Sequence, residues 1–425
     1  MAQGLVMFGG FLLLALVRVP IAFALLLSGM VLFTTDFRLQ PWVAAQRMFS
    51  GLDSFVLLAV PFFVLAGAIM NASQVTQRLV RLAHAIVGSV RGGLGMVNVG
   101  TSMLFAGVSG SSTADTAGVG SVLIPAMRQR GYSDDFSVAV TASSSVIGTI
   151  IPPSIQMIVW GALTGTSIAA LFLGGVLPGL LIGVGMMLVV YVAARSSGFP
   201  AEDRLAFREV GAALRDSLLA LGIPIVVIGG IVAGLVTATE ASVLAVLYAL
   251  VLGVGVYRTI GVRDLPAIFV ESARLASLPL FALGAAGLFG YLLAYHQVPS
   301  ALGDVIGGVP AVVLLPAIVL AWLFVGAFLD ALPAMAILIP VFAPAVEAAG
   351  IDPVHYGIVS VIALALGLVT PLYGLCLLLA SAIAEIPVTR ALRMTAAFVA
   401  VIVAVLVATI FIPELVLFLA GMAAA

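Results

Sequence analysis

The sequence predicts an all-α polytopic membrane protein built on inverted repeats, with two re-entrant helical hairpins and two discontinuous helices. Three observations predict it. The 425 residues are 63% hydrophobic and 8% charged, with a mean hydropathy of +1.30, which excludes an ordinary soluble domain. Two polar zones broken by glycine and proline interrupt the apolar runs at matched spacings. The arginines, which account for every basic residue, surround the first zone and avoid the second. At about 20 apolar residues per span, the chain accommodates roughly ten to twelve crossings, some of them broken.

Residues 1–33 are an apolar hairpin or one long bent span, interrupted by Arg18 and Pro20. They lack the basic n-region and small-residue cleavage site of a signal peptide, so a first span is expected. Arg18 is expected to snorkel or to pair. Residues 55–70 form a span containing Pro61, and residues 74–91 an amphipathic helix suited to lie along the interface as an arm, with His84 as an interfacial side chain. Next comes the first polar zone, Ala106-Gly-Val-Ser-Gly-Ser-Ser-Thr-Ala-Asp115. Non-helical backbone survives at membrane depth only where it is buried in protein or lines a wet cavity, so this stretch reads as a place that binds something polar.

After the polar turn 128–135, an apolar helix breaks at Gly148-Thr-Ile-Ile-Pro-Pro-Ser154, preceded by Ser143, Ser144 and Ser145. Its two prolines remove two backbone donors and leave carbonyls without helical partners. A span over 167–194 ends in the charged loop 195–216, and spans over 217–233 and 238–257 follow. Glu240, in Thr237-Ala-Thr-Glu-Ala241, sits at a helix start, where the dipole favours a carboxylate. Within 265–295, Glu271 and Arg274 are spaced to pair on one helix face. The second polar zone is Gly326-Ala-Phe-Leu-Asp-Ala-Leu-Pro333, and a third break follows at Gly367-Leu-Val-Thr-Pro-Leu-Tyr-Gly374. Residues 395–420 close the chain as a final span.

The two zones repeat one another. Asp115 precedes Ile124-Pro125 by the interval at which Asp330 precedes Ile339-Pro340, and each is followed by a turn, an apolar helix and a Gly-x-x-x-Pro break, at Gly148 and at Gly367. The first turn carries Arg128 and Arg130; the second carries Glu347 and Asp352, within an interval from Arg274 to Arg390 that holds no other arginine and no lysine. By the positive-inside rule the two copies open to opposite sides. Inverted repeats with broken helices are the signature of secondary transporters with a midplane site. Unwound carbonyls are hard ligands suited to Na⁺, while half-helix N-termini and serine hydroxyls suit the anionic groups of a substrate. Asp115 and Asp330 are each expected to cap a half-helix or to tune a cation site.

Other classes find less support. Net charge −1 indicates no nucleic-acid partner, and the single Cys376 excludes an internal disulfide or a cysteine metal cluster. An intramembrane hydrolase would pair Ser111 or Ser145 with His296 or His355, but nothing at helical spacing couples them. A passive channel fits paired hairpins less well than alternating access does.

The stretch 107–127 (GVSGSSTADTAGVGSVLIPAM), Gly131-Tyr132, Ile151-Pro-Pro-Ser154, Leu171-Phe-Leu-Gly-Gly-Val-Leu-Pro-Gly179, Thr237-Ala-Thr-Glu-Ala241 and Asp352-Pro-Val-His-Tyr-Gly357 closely resemble the large membrane subunit of TRAP (tripartite ATP-independent periplasmic) transporters. The resemblance spans nearly the whole chain. It implies a non-enzymatic, elevator-type carrier in a bacterial inner membrane, driven by two or more Na⁺ ions. The implied partners are a small four-helix membrane subunit and a periplasmic binding protein that delivers a small organic anion, a carboxylate, a sialic-acid-like acid or a sulfonate. A stand-alone ion-coupled carrier of dicarboxylates or other anions, working without a binding protein, is the alternative. The chain has no Gly-x-x-x-x-Gly-Lys-Ser/Thr phosphate loop.

The resemblance divides the chain into scaffold helices and arm (1–91), a first transport repeat (92–165), scaffold helices and connecting arm (166–310), a second transport repeat (311–389) and a C-terminal helix (390–425). It implies a first Na⁺ site of carbonyls around Ala106, Ser109, Gly148, Ile151 and Pro153, and a second at Gly326, Gly367, Thr370 and Tyr373. Substrate is expected near Ser109, Ser111, Ser112, Ser154 and Thr370, with Asp115 close by. The family usually reads Thr-Pro-Pro-Val-Gly-Leu-Asn at the last break; this chain reads Thr370-Pro-Leu-Tyr-Gly-Leu-Cys376. Cys376 is expected to pack as a small hydrophobe.

Overall fold

A computed structural model describes residues 2–17, 19–36, 38–197, 207–300 and 309–423; Arg18, Arg204 and Asp304 lie outside the described residues. Every regular element among the described residues is helical. This is the solution open to an apolar chain in lipid, where backbone groups must bond within their own segment. The helices are α1 (Ala2–Leu16), α2 (Ile21–Thr35), α3 (Trp42–Ser50), α4 (Ala59–Ala72), α5 (Val75–Val87), α6 (Gly93–Ser109), α7 (Ser112–Gln129), α8 (Asp134–Ser145), α9 (Ile155–Thr164) and α10 (Ile168–Ser197). There follow α11 (Phe207–Val232), α12 (Ala238–Leu250), α13 (Leu265–Tyr295), α14 (Ala311–Gly326), α15 (Ala331–Ala348), α16 (Pro353–Gly367), α17 (Leu375–Ala384), α18 (Val388–Phe411) and α19 (Glu414–Ala420).

Seven helical segments among the described residues are long and apolar enough to cross a membrane. Others are too short, and their shortness is structural. Helices α9 and α17 have 10 residues each, about 15 Å or half of the roughly 30 Å hydrocarbon core. Each completes a crossing begun by α8 or α16. Likewise α6 with α7, and α14 with α15, form hairpins that turn back at Gly110 and at residues 327–330.

Side-chain caps set where these half-elements start. Ser111, Ser133 and Ser154 accept from backbone amides at the starts of α7, α8 and α9, Asp352 caps α16 at 2.8 and 3.1 Å, and Thr237 with Glu240 forms a full capping box on α12. Asp330 caps α15, accepting from the Ala331 amide at 2.6 Å. The expected counterpart role for Asp115 is overturned. Gly110 ends α6 in the left-handed region (φ +64°), so Ser111 occupies the cap position and Asp115 falls one turn inside α7. The expected Glu271–Arg274 pair is also absent: both side chains stand exposed on α13, and no ion pair joins them. An exposed pair at this spacing gains only a few tenths of a kcal/mol, too little to hold two long side chains together.

The ends of the repeats show that they run antiparallel. At one end, Arg128 in the turn of the first repeat pairs with Asp134 at 2.7 Å and donates from Nη2 to the Ala384 carbonyl at the end of α17. The Asp134 carboxylate holds the Arg128 guanidinium above its ordinary pKa. Beside it, Arg390 of α18 forms an ion pair with Asp135 of α8 at 2.7 Å. At the other end, the start of α16 meets the end of α9. Trp160 packs edge-on against Tyr356 with ring centroids 5.0 Å apart and against Trp322 of α14 at 5.6 Å, and His355 bonds the Thr409 carbonyl of α18 through Nε2 at 2.8 Å. The turn of each repeat therefore lies beside the half-helix end of the other.

Trp160 and Trp322 are fully buried and join the broken helix of one repeat to the hairpin of the other. Trp322→Ala should lower unfolding stability by about 3–5 kcal/mol, read as the thermal midpoint of the purified protein in micelles. Trp322→Phe should recover most of that loss; equal midpoints for all three proteins would refute the interlock.

Candidate functional site

In each repeat the hairpin tip rests on the break of the discontinuous helix. In the first, the Gly110 carbonyl leaves α6 and accepts the Ile155 amide at 3.2 Å, so the break in α8–α9 regains a donor–acceptor pair from the hairpin. A Cβ at Gly110 would lie 2.6 Å from the Pro153 carbonyl oxygen, and one at Gly148 would lie 3.5 Å from the Ser111 carbonyl. Only glycine permits an approach that close at Gly110. Ser112 Oγ lies 3.4 Å from the Val146 carbonyl and 3.3 Å from Thr149 Oγ1, and Ser154 Oγ donates to the Thr149 carbonyl at 2.6 Å across the break.

In the second repeat the contact is glycine on glycine. A Cβ at Gly367 would overlap the Gly326 carbonyl, so the end of α14 sits directly on the end of α16. The Thr370 hydroxyl donates to the Gly367 carbonyl at 2.8 Å, and a Cβ at Gly374 would overlap the Thr370 carbonyl. Tyr373, partly buried, lies within electrostatic range of Asp330. Carbonyls and hydroxyls thus gather at both tips, the donor set that suits a hard monovalent cation. Among the described residues no three His, Cys, Asp or Glu side chains converge into a metal cluster.

The residues named from sequence therefore fall into two groups. Ser109, Ser111, Ser112, Gly148, Pro153 and Ser154 come together at the first tip, with Ala106, whose carbonyl accepts the Gly110 amide at 3.3 Å, one turn back on α6. Ile151, partly buried, lies within the first break. Gly326, Gly367 and Thr370 come together at the second tip. Exposure differs within each group. Ser111 and Thr370 are partly exposed, whereas Ser109, Ser112 and Ser154 are buried.

Asp115 points elsewhere. It is fully buried, and the hydroxyls of Ser102 on α6 and Ser145 on α8 lie toward its carboxylate as hydrogen-bond partners. Cys376 is also fully buried, with its thiol toward Thr116 and within electrostatic range of both Asp115 and Asp330. Sequence reasoning missed the polar thread behind Asp115. Asn98 Nδ2 donates to Thr141 Oγ1 at 2.7 Å, and Ser144 Oγ to Asn98 Oδ1 at 3.1 Å. The signal was present as Asn98 in an apolar helix, since an intramembrane amide needs a partner. The serine–histidine pairings of a hydrolase do not form: His355 is committed to Thr409, and Ser145 Oγ to the Thr141 carbonyl.

Comparison with known proteins agrees with this geometry. Residues 8–415 match the family model described as "Tripartite ATP-independent periplasmic transporter, DctM component". The chain is 37% identical over 381 residues to the sialic acid TRAP transporter large permease protein SiaM of Vibrio cholerae, covering 89% of each. It is 36% identical over 419 residues to the isethionate TRAP transporter permease protein DctMQ of Oleidesulfovibrio alaskensis, covering 98% of this chain and 66% of that protein. Its fold is similar to the solved structure of Neisseria gonorrhoeae MtrF, with a TM-score of 0.62 at 15% identity over 87% of this chain and 84% of that one. The chain belongs to the DctM component family, the large permease subunits of tripartite ATP-independent periplasmic transporters.

Proposed function

We propose that this permease carries a small organic anion inward in symport with Na⁺, receiving it from a periplasmic binding protein and working by an elevator motion in a bacterial inner membrane. The observation that carries this reading is the reciprocal seating of two hairpin tips on two helix breaks that run in opposite directions. Such a unit presents the same tip chemistry to either side of a membrane, which is what alternating access requires. The carbonyls around Ala106, Ser109, Gly148, Ile151 and Pro153 would hold one ion, and Gly326, Gly367, Thr370 and Tyr373 a second. Filling both sites would fix the tips and leave the hydroxyls of Ser109, Ser111, Ser112, Ser154 and Thr370 to face the anion. Ser111 and Thr370 are the most reachable of these.

Relatives named for sialic acid and isethionate support a carboxylate or sulfonate as the anionic group. The fused relative DctMQ, of which this chain spans 66%, supports a separate small membrane subunit as scaffold partner. Its four-helix form is carried by the family resemblance.

Reconstituted in liposomes with that subunit, the permease should accumulate substrate only with an inward Na⁺ gradient and the cognate binding protein outside. Uptake by this chain alone would make it a stand-alone carrier, and uptake indifferent to Na⁺ would remove the coupling. Ser109→Ala should lower initial uptake about tenfold or more, as expected when a contact to a charged ligand is lost. Gly367→Ala should abolish uptake by forcing the second tip off its break. Unchanged transport in Gly367→Ala at normal expression would show that the glycine contact is dispensable.

A further inference from the structure

Arg78, on the arm helix α5, carries a charge for which the described residues supply no counter-ion. Its guanidinium carbon lies 3.8 Å from the centroid of the Tyr257 ring. Tyr257 follows a wide helical turn, Val251–Val256, at the end of α12. Helix α11 forms the third wall, where the Ser217 hydroxyl donates to the Arg78 carbonyl at 3.0 Å. Of the three guanidinium nitrogens only Nε is enclosed, and it has no hydrogen-bond partner. The two terminal nitrogens open to the surface.

The neighbourhood is cationic. Asp216 of α11 lies 3.6 Å from Arg81, one turn along α5, and both remain exposed. Arg215 and Arg258, next in sequence to Asp216 and Tyr257, are exposed as well. Four arginines on three elements therefore share one carboxylate. A stacked guanidinium differs from a solvated one, because the ring fixes its plane and its outer edge then presents N–H donors in a set direction. That edge matches two oxygens of a phosphate.

The surroundings indicate where the phosphate comes from. Arginine clusters mark the cytoplasmic side of the membrane, whose leaflet carries anionic lipids. Beside the arginines, Leu214 and Leu218 of α11 and Val251 and Val256 at the end of α12 are apolar and exposed. A phospholipid covers such residues with its chains while its phosphate reaches the arginines; a soluble phosphate does not. A zwitterionic headgroup would bring an ammonium among the arginines, so a net negative headgroup fits better.

We propose that Arg78 and Arg81 bind the phosphate of an anionic phospholipid of the cytoplasmic leaflet, with Tyr257 as the residue that positions Arg78. Helix α5 joins α4 to the first hairpin at α6, so the bound lipid ties this arm to α11 and α12.

The test uses the full chain in delipidated micelles, alone and with its small membrane subunit, with bound lipid counted by native mass spectrometry. Phosphatidylglycerol should be retained at concentrations where phosphatidylcholine is not. Arg78→Gln should weaken that retention about tenfold or more, as expected when a hydrogen-bonded contact to a charged group is lost. Tyr257→Leu should weaken it similarly, and Tyr257→Phe, which keeps the ring, should restore it. Arg274→Gln, which removes an exposed arginine of α13, should leave it unchanged.

Equal losses in Arg78→Gln and Arg274→Gln would overturn the site in favour of diffuse surface charge. Displacement of the lipid by glycerol 3-phosphate would make the ligand a soluble phosphate and overturn the lipid. Loss of retention when the small subunit is added would make this face a protein interface. An Arg78→Gln protein that unfolds without lipid would also overturn the proposal, since the guanidinium would then serve the fold.

Discussion

Unpaired backbone groups at the middle of a bilayer are the constraint on which the rest of this structure depends. Each broken helix leaves carbonyls and amides without helical partners, at a depth where water does not supply them. The protein meets this by bringing a second break to the first. The Gly110 carbonyl at the tip of α6–α7 accepts the Ile155 amide, and the end of α14 lies against the end of α16 at Gly326 and Gly367. Two interruptions, each unfavourable alone, satisfy one another in part. What they leave over is a set of carbonyl and hydroxyl oxygens at each tip. Fold and site are in this sense one arrangement.

The two repeats reach the same end by different local means. The first is held by hydroxyls: Ser111 and Ser154 cap half-helices, and Ser112 reaches across to Val146 and Thr149. The second is held by backbone approach, with Thr370 folded back on the Gly367 carbonyl. Their outer ends are locked differently too, by the arginine pairs at Asp134 and Asp135 on one side and by the aromatic cluster of Trp160, Trp322 and Tyr356 on the other. Charged locks suit an end rich in arginine, and an aromatic lock suits the end whose turn carries only acidic residues.

The repeat was legible because both copies keep one order of signals: polar tip, carboxylate, Ile-Pro, turn, Gly-x-x-x-Pro break. Such signals are local and survive in one dimension. The role of Asp115 was not legible in the same way. Asp330 is the last residue of the tip 327–330 and lands on the cap, whereas Gly110 turns the chain at once and gives the cap to Ser111, four residues before Asp115. Equal spacing to the downstream Ile-Pro concealed unequal spacing to the upstream helix end. The thread from Asn98 through Thr141 and Ser144 was hidden for another reason, since its members lie on different helices and only packing of α6 against α8 joins them. Conversely, the spacing of Glu271 and Arg274 suggested a pair, but an exposed helix face gives it nothing to hold it.

Cys376 shows how structure changes the meaning of a sequence departure. At the last break this chain has cysteine where the family usually has asparagine, and in one dimension the change lies beside the Gly367–Gly374 break and so bears on the substrate. In three dimensions the thiol is buried in the first turn of α17, turned toward Thr116 of α7 and within range of Asp115 and Asp330. An asparagine amide there would offer two N–H donors to a region that contains two carboxylates; a thiol offers one weak donor. The substitution therefore withdraws hydrogen-bond support from the acidic groups behind the tips. Its first consequence falls on those buried carboxylates, whereas Tyr373 and Leu372, the other departures at this break, keep their side chains at least partly exposed.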